Sequence, residues 1–269
     1  MPVITLTTDF GTKDWFVGTM KGVIASIAPN TRVIDITHET PPGDIRAGAF
    51  ALAASYNFFP GDTIHVVVVD PGVGSKRKPV AVQTTNYAFV GPDNGVLSLS
   101  LANEKIKTIR ALENEDYFLR PVSRTFHGRD IFAPVAGHLS RGLPIQKLGP
   151  ALKDFVRLKW PRPRQSRGSI EGEVVYLDRF GNGITNISGK LLSGLSQASC
   201  YIFAPRRCVC PLKDFYQGVP AGKPVAVPGS SGFVEIALNS GSAAERLGLK
   251  IGTPVVLRQP RAARGRVKE

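Results

Sequence analysis

Residues 66–79 read VVVVDPGVGSKRKP: four valines run straight into Asp70, and a glycine-containing turn follows with Lys76, Arg77 and Lys78. Consecutive β-branched residues fit a strand buried on both faces, as in a parallel sheet covered by helices. Ligands of such sheets gather beyond the carboxyl ends of the strands, which is where Asp70 would lie. Working outward, residues 3–8 (VITLTT) and 32–37 (RVIDIT) predict further strands. Residues 15–28 place Phe16, Met20, Val23, Ile24 and Ile27 on one helical face. A second helix is expected over 43–59, with Asp44 as its N-cap and Pro60-Gly61 closing it. Shorter strands are expected at 79–85 and 87–91, a short helix after Asn94, and a helix over 129–142 with Pro134 near its start. Alternating strands and helices predict an α/β domain with a largely parallel sheet over residues 1–159.

The pattern changes at WPRPRQSRG, where Pro161, Pro163 and Gly168 alternate with arginines, and residues 160–168 read as an exposed linker. Strand signals at 170–177, 199–204, 224–228, 232–238 and 254–258 then predict a smaller, all-β, barrel-like C-terminal domain over 169–258, leaving a basic tail at 259–269.

A chain of 269 residues, 42% hydrophobic and 20% charged, is long and apolar enough to fold around substantial cores, which excludes a disordered protein. No basic leader precedes an apolar run and no stretch reaches membrane-spanning length. Cys200, Cys208 and Cys210 are too few and too clustered for a disulfide framework, which fits the cytoplasm. The CVC pair lacks a second ligand pair at zinc spacing, and His38, His65 and His138 show no i, i+4 relation, so no metal site is expected. The formal charge of +13 raises the question of nucleic acid. Much of the excess lies in the linker and the tail, without interleaved aromatics, so neither nucleic acid nor membrane is the expected partner.

Four polar clusters fall where strands or helices should end: TTDFGTKD (7–14), DPGVGSKR (70–77), FHGRD (126–130) and DRFGNGITN (178–186). Each alone fits a turn or a cap, and PGVGS lacks the spacing and terminal Lys-Ser/Thr of a P-loop. Singly, Asp70 could cap a turn, Arg77 could be a surface cation, and His127 could start a helix. In order along the chain, however, TLTTDFGTKDWFVGTMKGVI, IDITHE, VVVVDPGVGS, FVGPDNGVLS, TFHGRDIFAP and DRFGNGITNI closely resemble the S-adenosylmethionine hydroxide adenosyltransferase family. Its members are adenosine-forming S-adenosylmethionine hydrolases, and fluorinase and chlorinase are relatives.

The resemblance implies an N-terminal α/β domain, a C-terminal β-barrel, and a homotrimer that binds substrate between one subunit's N-terminal domain and a neighbour's C-terminal domain. It implies in-line displacement at ribose C5′ of S-adenosyl-L-methionine, with no metal or organic cofactor. It assigns Asp70, Arg77 and His127 to preparing the attacking water, and Asp9 to the ribose hydroxyls. Asp14 and Asp178 match positions at the methionine end, while Phe180, Asn182, Asn239 and Ser240 match the adenine-facing side. Ser230 and Ser231 stand where halogenase relatives have Ser-Arg, so Ser231 departs from the carboxylate-holding pattern. His127-Gly128 replaces the Tyr-Ser of fluorinases, and no long insertion interrupts residues 80–125; both departures favour water over halide. The sharpest alternatives are a chloride-using halogenase and, from another class, a non-catalytic nucleoside or S-adenosylmethionine binding protein.

Overall fold

The computed structural model describes residues 2–166, 168–193, 199–202 and 208–259. The expected basic tail, apart from Gln259, lies outside them, as does the side chain of Cys200. The chain divides into two compact units, residues 1–159 and 160–269.

The first unit runs β1 (Val3–Thr8), α1 (Phe16–Ile27), β2 (Arg32–Thr37), α2 (Ile45–Ala53), β3 (Ile64–Val68), β4 (Pro79–Thr84), β5 (Ala88–Pro92), α3 (Ser98–Leu101), β6 (Ile106–Ala111) and α4 (Ala133–Ser140). Its six-stranded sheet has the order β2-β1-β3-β5-β4-β6. β2, β1, β3 and β5 pair in parallel, while β4 runs antiparallel to β5 and β6. β4 reverses because only residues 85–87 link it to β5, far too few for a parallel crossover. The sheet is therefore largely parallel, as expected.

The valine run sits at its centre and divides by side-chain alternation. Val66 and Val68 pack with Met20 and Ile24 of α1 and Val135 and Ala136 of α4. Val67 and Val69 pack with Leu52 of α2 and with Val96, Leu97 and Leu101 around α3. All four valines are buried, so the strand is a fixed mount with helices on both faces. In α1 the buried face is Val17, Met20 and Ile24, with Phe16 and Val23 packed at its margin. Asp44 caps α2 by accepting from Ala47 N at 2.9 Å, and Pro134 lies in the first turn of α4.

His65, on β3, is fully buried with Thr5 Oγ1 2.8 Å from its Nδ1, and the rings of Tyr56, Phe59, Tyr87 and Phe89 surround it. Burial pushes its pKa down to about 3. An unfolded histidine takes up its proton near pH 6.5, so the unfolded state binds more protons throughout that window and stability falls as pH drops through it. The expected contribution is a loss of about 1.4 kcal/mol per pH unit below about 6.5. Urea unfolding between about pH 6.5 and 5 checks this: the slope is shallower in His65→Gln, and an equal slope in the two proteins contradicts it.

The second unit carries β7 (Arg164–Ser166), β8 (Ser169–Leu177), β9 (Gly183–Ser188), β10 (Ser199–Ile202), β11 (Cys208–Pro211), β12 (Pro224–Pro228), β13 (Phe233–Leu238), α5 (Ala243–Leu247) and β14 (Pro254–Arg258). The strands pair antiparallel in the order β11-β10-β14-β8-β9-β13-β12, and β7 pairs with β8 at the side. Part of the segment expected as linker thus forms a strand. The barrel-like expectation needs one adjustment: among the described residues, no continuous ladder closes the sheet. Its end strands meet through one parallel bridge, Leu212 to Ala226, with Lys213 N donating to Ala226 O at 2.9 Å. Pro211 ends β11 at that edge, and a proline cannot donate to a ladder.

Candidate active site

Two neighbouring parallel strands deliver the first carboxylates. Thr8 of β1 pairs with Val68 of β3, so Asp9 and Asp70 leave the sheet side by side at its C-terminal edge. Asn94, from the GPDN segment, donates its Nδ2 to Val69 O at 2.9 Å and fixes the chain just before Asp70. The turn that follows depends on Gly74, whose φ of +74° is a left-handed conformation. A Cβ there would also collide with the Arg124 carbonyl oxygen. That close approach brings the Arg77 loop against the segment that leads to His127. His127 itself precedes a single π-helical turn, Gly128–Phe132, which runs into α4. Such turns recur at functional sites.

The three residues meet. Arg77 Nε donates to Asp70 Oδ1 at 2.9 Å, and Arg77 Nη2 donates to Asp70 Oδ2 in a bidentate pair. Arg77 Nη2 also lies 2.7 Å from His127 Nδ1. The side chains of Arg77 and Asp70 are 9% and 4% exposed. Phe132 lies under the guanidinium, 5.5 Å from ring centroid to Cζ. Arg77 Nη1 is buried and has no protein partner among the described residues.

A guanidinium only donates, so Nδ1 of His127 must accept, and the neutral ring then keeps its proton on Nε2. In this arrangement His127 offers an N–H donor at Nε2. Burial, and next the Arg77 charge, push its pKa below the ordinary histidine value, against the opposing pull of Asp70 and Asp130. The neutral form is therefore held to lower pH than in a free histidine.

Asp9 accepts from Gly43 N at 2.7 Å through Oδ2. Burial pushes its carboxyl up and the Asp70 charge adds to this, while the Gly43 N–H opposes it. The turn around Asp9 is tied to His38: Gly11 N donates to the His38 carbonyl at 2.7 Å, and Thr8 Oγ1 is 2.9 Å from His38 Nδ1. Asp14 is exposed beside the exposed Trp15.

The remaining expected residues lie in the second unit. Asp178 caps the turn between β8 and β9, accepting from Phe180 N at 2.9 Å, Asn182 N at 2.8 Å and Asn182 Nδ2 at 2.9 Å. It lines a cavity of about 450 Å³ together with Phe180, Asn182, Ser230 and Ser240. Phe180 is 76% exposed. Asn239 is absent from that wall, since its Nδ2 donates to Val219 O at 2.7 Å. Ser231 Oγ is buried and unpartnered among the described residues.

Two polar residues of the wall escaped sequence reasoning, Tyr216 and Glu235. Tyr216 lies outside every cluster in the sequence. Glu235 interrupts an apolar strand, and that was the signal available for it. Another cavity, of about 410 Å³, lies in the first unit where β3 and β5 begin, at the opposite end of those strands from Asp70. Among the described residues, no cluster of three or more His, Cys, Asp or Glu could hold a metal, and no helix is long and apolar enough to cross a membrane.

Against known proteins, the sequence pattern of the SAM hydroxide adenosyltransferase N-terminal domain matches residues 4–149, and that of the C-terminal domain matches 172–256. An (R)-S-adenosyl-L-methionine hydrolase from Salinispora tropica is 41% identical over 254 residues, covering 93% of this chain and 95% of that protein. A fluorinase from an Actinoplanes species is 26% identical over 289 residues, covering 95% and 97%. The crystal structure of an uncharacterized conserved protein from Thermotoga maritima superposes with a TM-score of 0.90 at 36% identity, over 96% of this chain and 100% of that one.

Proposed function

This chain belongs to the SAM hydroxide adenosyltransferase family, and we propose that it hydrolyses S-adenosyl-L-methionine to adenosine and L-methionine. The observation that carries this reading is the hydrogen-bonded Asp70, Arg77 and His127 set at the end of β3. The sulfonium leaves C5′ as a neutral thioether, so the reaction needs no general acid. What it lacks is a nucleophile, because bulk water, with a pKa of about 15.7, is poorly ionised. The Arg77 guanidinium is a cation, and its buried Nη1 together with the His127 Nε2–H gives two donors suited to a hydroxide drawn from solvent, which leaves its proton in bulk water and forms the C5′–O bond as the C5′–S bond breaks. Asp70 holds the guanidinium in place through both oxygens. Asp9, acceptor-only when ionised, suits the two vicinal ribose hydroxyls. On this account neither a metal nor an organic cofactor takes part.

Asp178, Phe180, Asn182, Ser230 and Ser240 would form the wall for the rest of the substrate, with Asn239 holding that wall from behind and Asp14 serving the methionine end. The name of the Salinispora relative adds the expectation that the (R) sulfonium epimer is used. We further propose that the active species is a homotrimer working in the cytoplasm. The test is to incubate the purified protein with each sulfonium epimer and identify the products by mass spectrometry, with light scattering on the same sample. Adenosine and methionine from a trimer are expected. A 5′-chloro-5′-deoxyadenosine formed in chloride would favour the halogenase, and binding without turnover would favour a non-catalytic protein.

A further inference from the structure

Glu235 sits near the middle of β13 between Val234 and Ile236, both fully buried, and is itself 5% exposed. A carboxylate taken out of water is costly unless it is paired. Here one oxygen, Oε2, accepts from Tyr216 Oη at 2.8 Å. No described residue donates to Oε1, and Glu235 belongs to no ion pair among the described residues. A Cβ at Gly229 would overlap the carboxylate, so that glycine makes the room it occupies. Among the described residues, the cavity it faces has no lysine, arginine or histidine in its wall, and Asp178 stands there as a second carboxylate. Burial, with the Asp178 charge adding to it, pushes the Glu235 carboxyl up, and the Tyr216 hydroxyl only partly opposes this. The site thus holds a buried carboxyl group with no cationic partner among the described residues.

On the footing of S-adenosyl-L-methionine hydrolysis, we propose that Glu235 is a specificity residue that receives the charged amino group of the substrate's methionine end, with Tyr216 fixing the carboxylate to do so. The substrate has two cationic groups. The sulfonium has no N–H and adjoins C5′, the carbon under attack. The ammonium has three N–H donors, which match the unpaired Oε1. Asp178 shares the cavity, but its two oxygens already accept three hydrogen bonds from the turn it caps. Glu235 therefore has the greater capacity left for a new donor.

The test compares S-adenosyl-L-methionine with its desamino analogue, in which the ammonium is replaced by hydrogen. Glu235→Gln keeps shape and size and removes the charge. It is expected to lower kcat/KM for S-adenosyl-L-methionine by about 10–100-fold, the range for losing a hydrogen bond to a charged group. The desamino analogue should be used by parent and variant within about threefold of each other. Tyr216→Phe leaves the carboxylate in place without its support and should show a smaller loss with the same substrate dependence. It also keeps the test open if Glu235→Gln fails to fold. Equal losses on both substrates, or none on either, overturn the assignment. Failure of the hydrolase reading would appear separately, as a parent protein that turns over neither substrate.

Discussion

His127→Ala lowers kcat by about 10²–10³-fold, the size expected when a donor that holds a charged oxygen is removed, and leaves S-adenosyl-L-methionine affinity within a few-fold. The contrast follows from the proposed role: His127 touches Arg77 through Nδ1, and an Nε2–H given to the attacking oxygen would contribute at the reaction step. Arg77→Met should fall in the same range or lower, because it removes both the charge and the buried Nη1 donor. The double variant should lose little more than the worse single one, since both donors act on one oxygen and bond to each other. The pH profile has a sign of its own. Protonating Nδ1 turns an acceptor into a donor facing the guanidinium, so kcat must fall on the acid side. Burial and the Arg77 charge hold that protonation below the ordinary histidine range. The acid limb should therefore lie below about pH 6.5, and it should vanish in His127→Ala. Full kcat in both single variants would make the set structural.

Asp70→Ala is expected to destabilise the first unit by about 3–5 kcal/mol, the usual consequence of breaking a buried ion pair from one side. Arg77 would keep its charge with 9% exposure and no carboxylate beside it. Asp70→Ala combined with Arg77→Met removes both charges and should recover much of the stability while remaining inactive. Urea unfolding of the two variants beside the parent distinguishes the pair's cost from its catalytic value. A loss below about 1 kcal/mol in Asp70→Ala would mean that the pair behaves as a solvated one.

Much of this was legible because apolar pattern and chain ends coincide. The four valines announced a strand covered on both sides, and Asp70 stood where parallel sheets bind ligands. Asp9 ends the neighbouring strand for the same reason. Parts of the second unit were harder to read. β9 is GITNIS, with glycine and polar residues where a strand signal would be sought, and it registered only as part of a polar cluster. β7 lies in a run dense in arginine and proline, and only its pairing with β8 defines it. The π-helical turn beside His127 reads in sequence as ordinary helix. Glu235 shows why a one-dimensional pattern loses part of a site: a lone glutamate on a strand usually marks the solvent face, whereas here it lies buried against a cavity. The protonated nitrogen of His127 is likewise a property of the Arg77 contact, which spans 50 residues of sequence.

Solvent-derived oxygen is expected to attack C5′ under the control of Arg77 and His127. Single-turnover hydrolysis in heavy-oxygen water tests it most directly, with both products analysed by mass spectrometry. One heavy oxygen is expected in the 5′-hydroxyl of adenosine and none in methionine or its side-chain fragments. Heavy oxygen in a methionine-derived product, or adenosine formed without the label, would place the attack at another atom and contradict it.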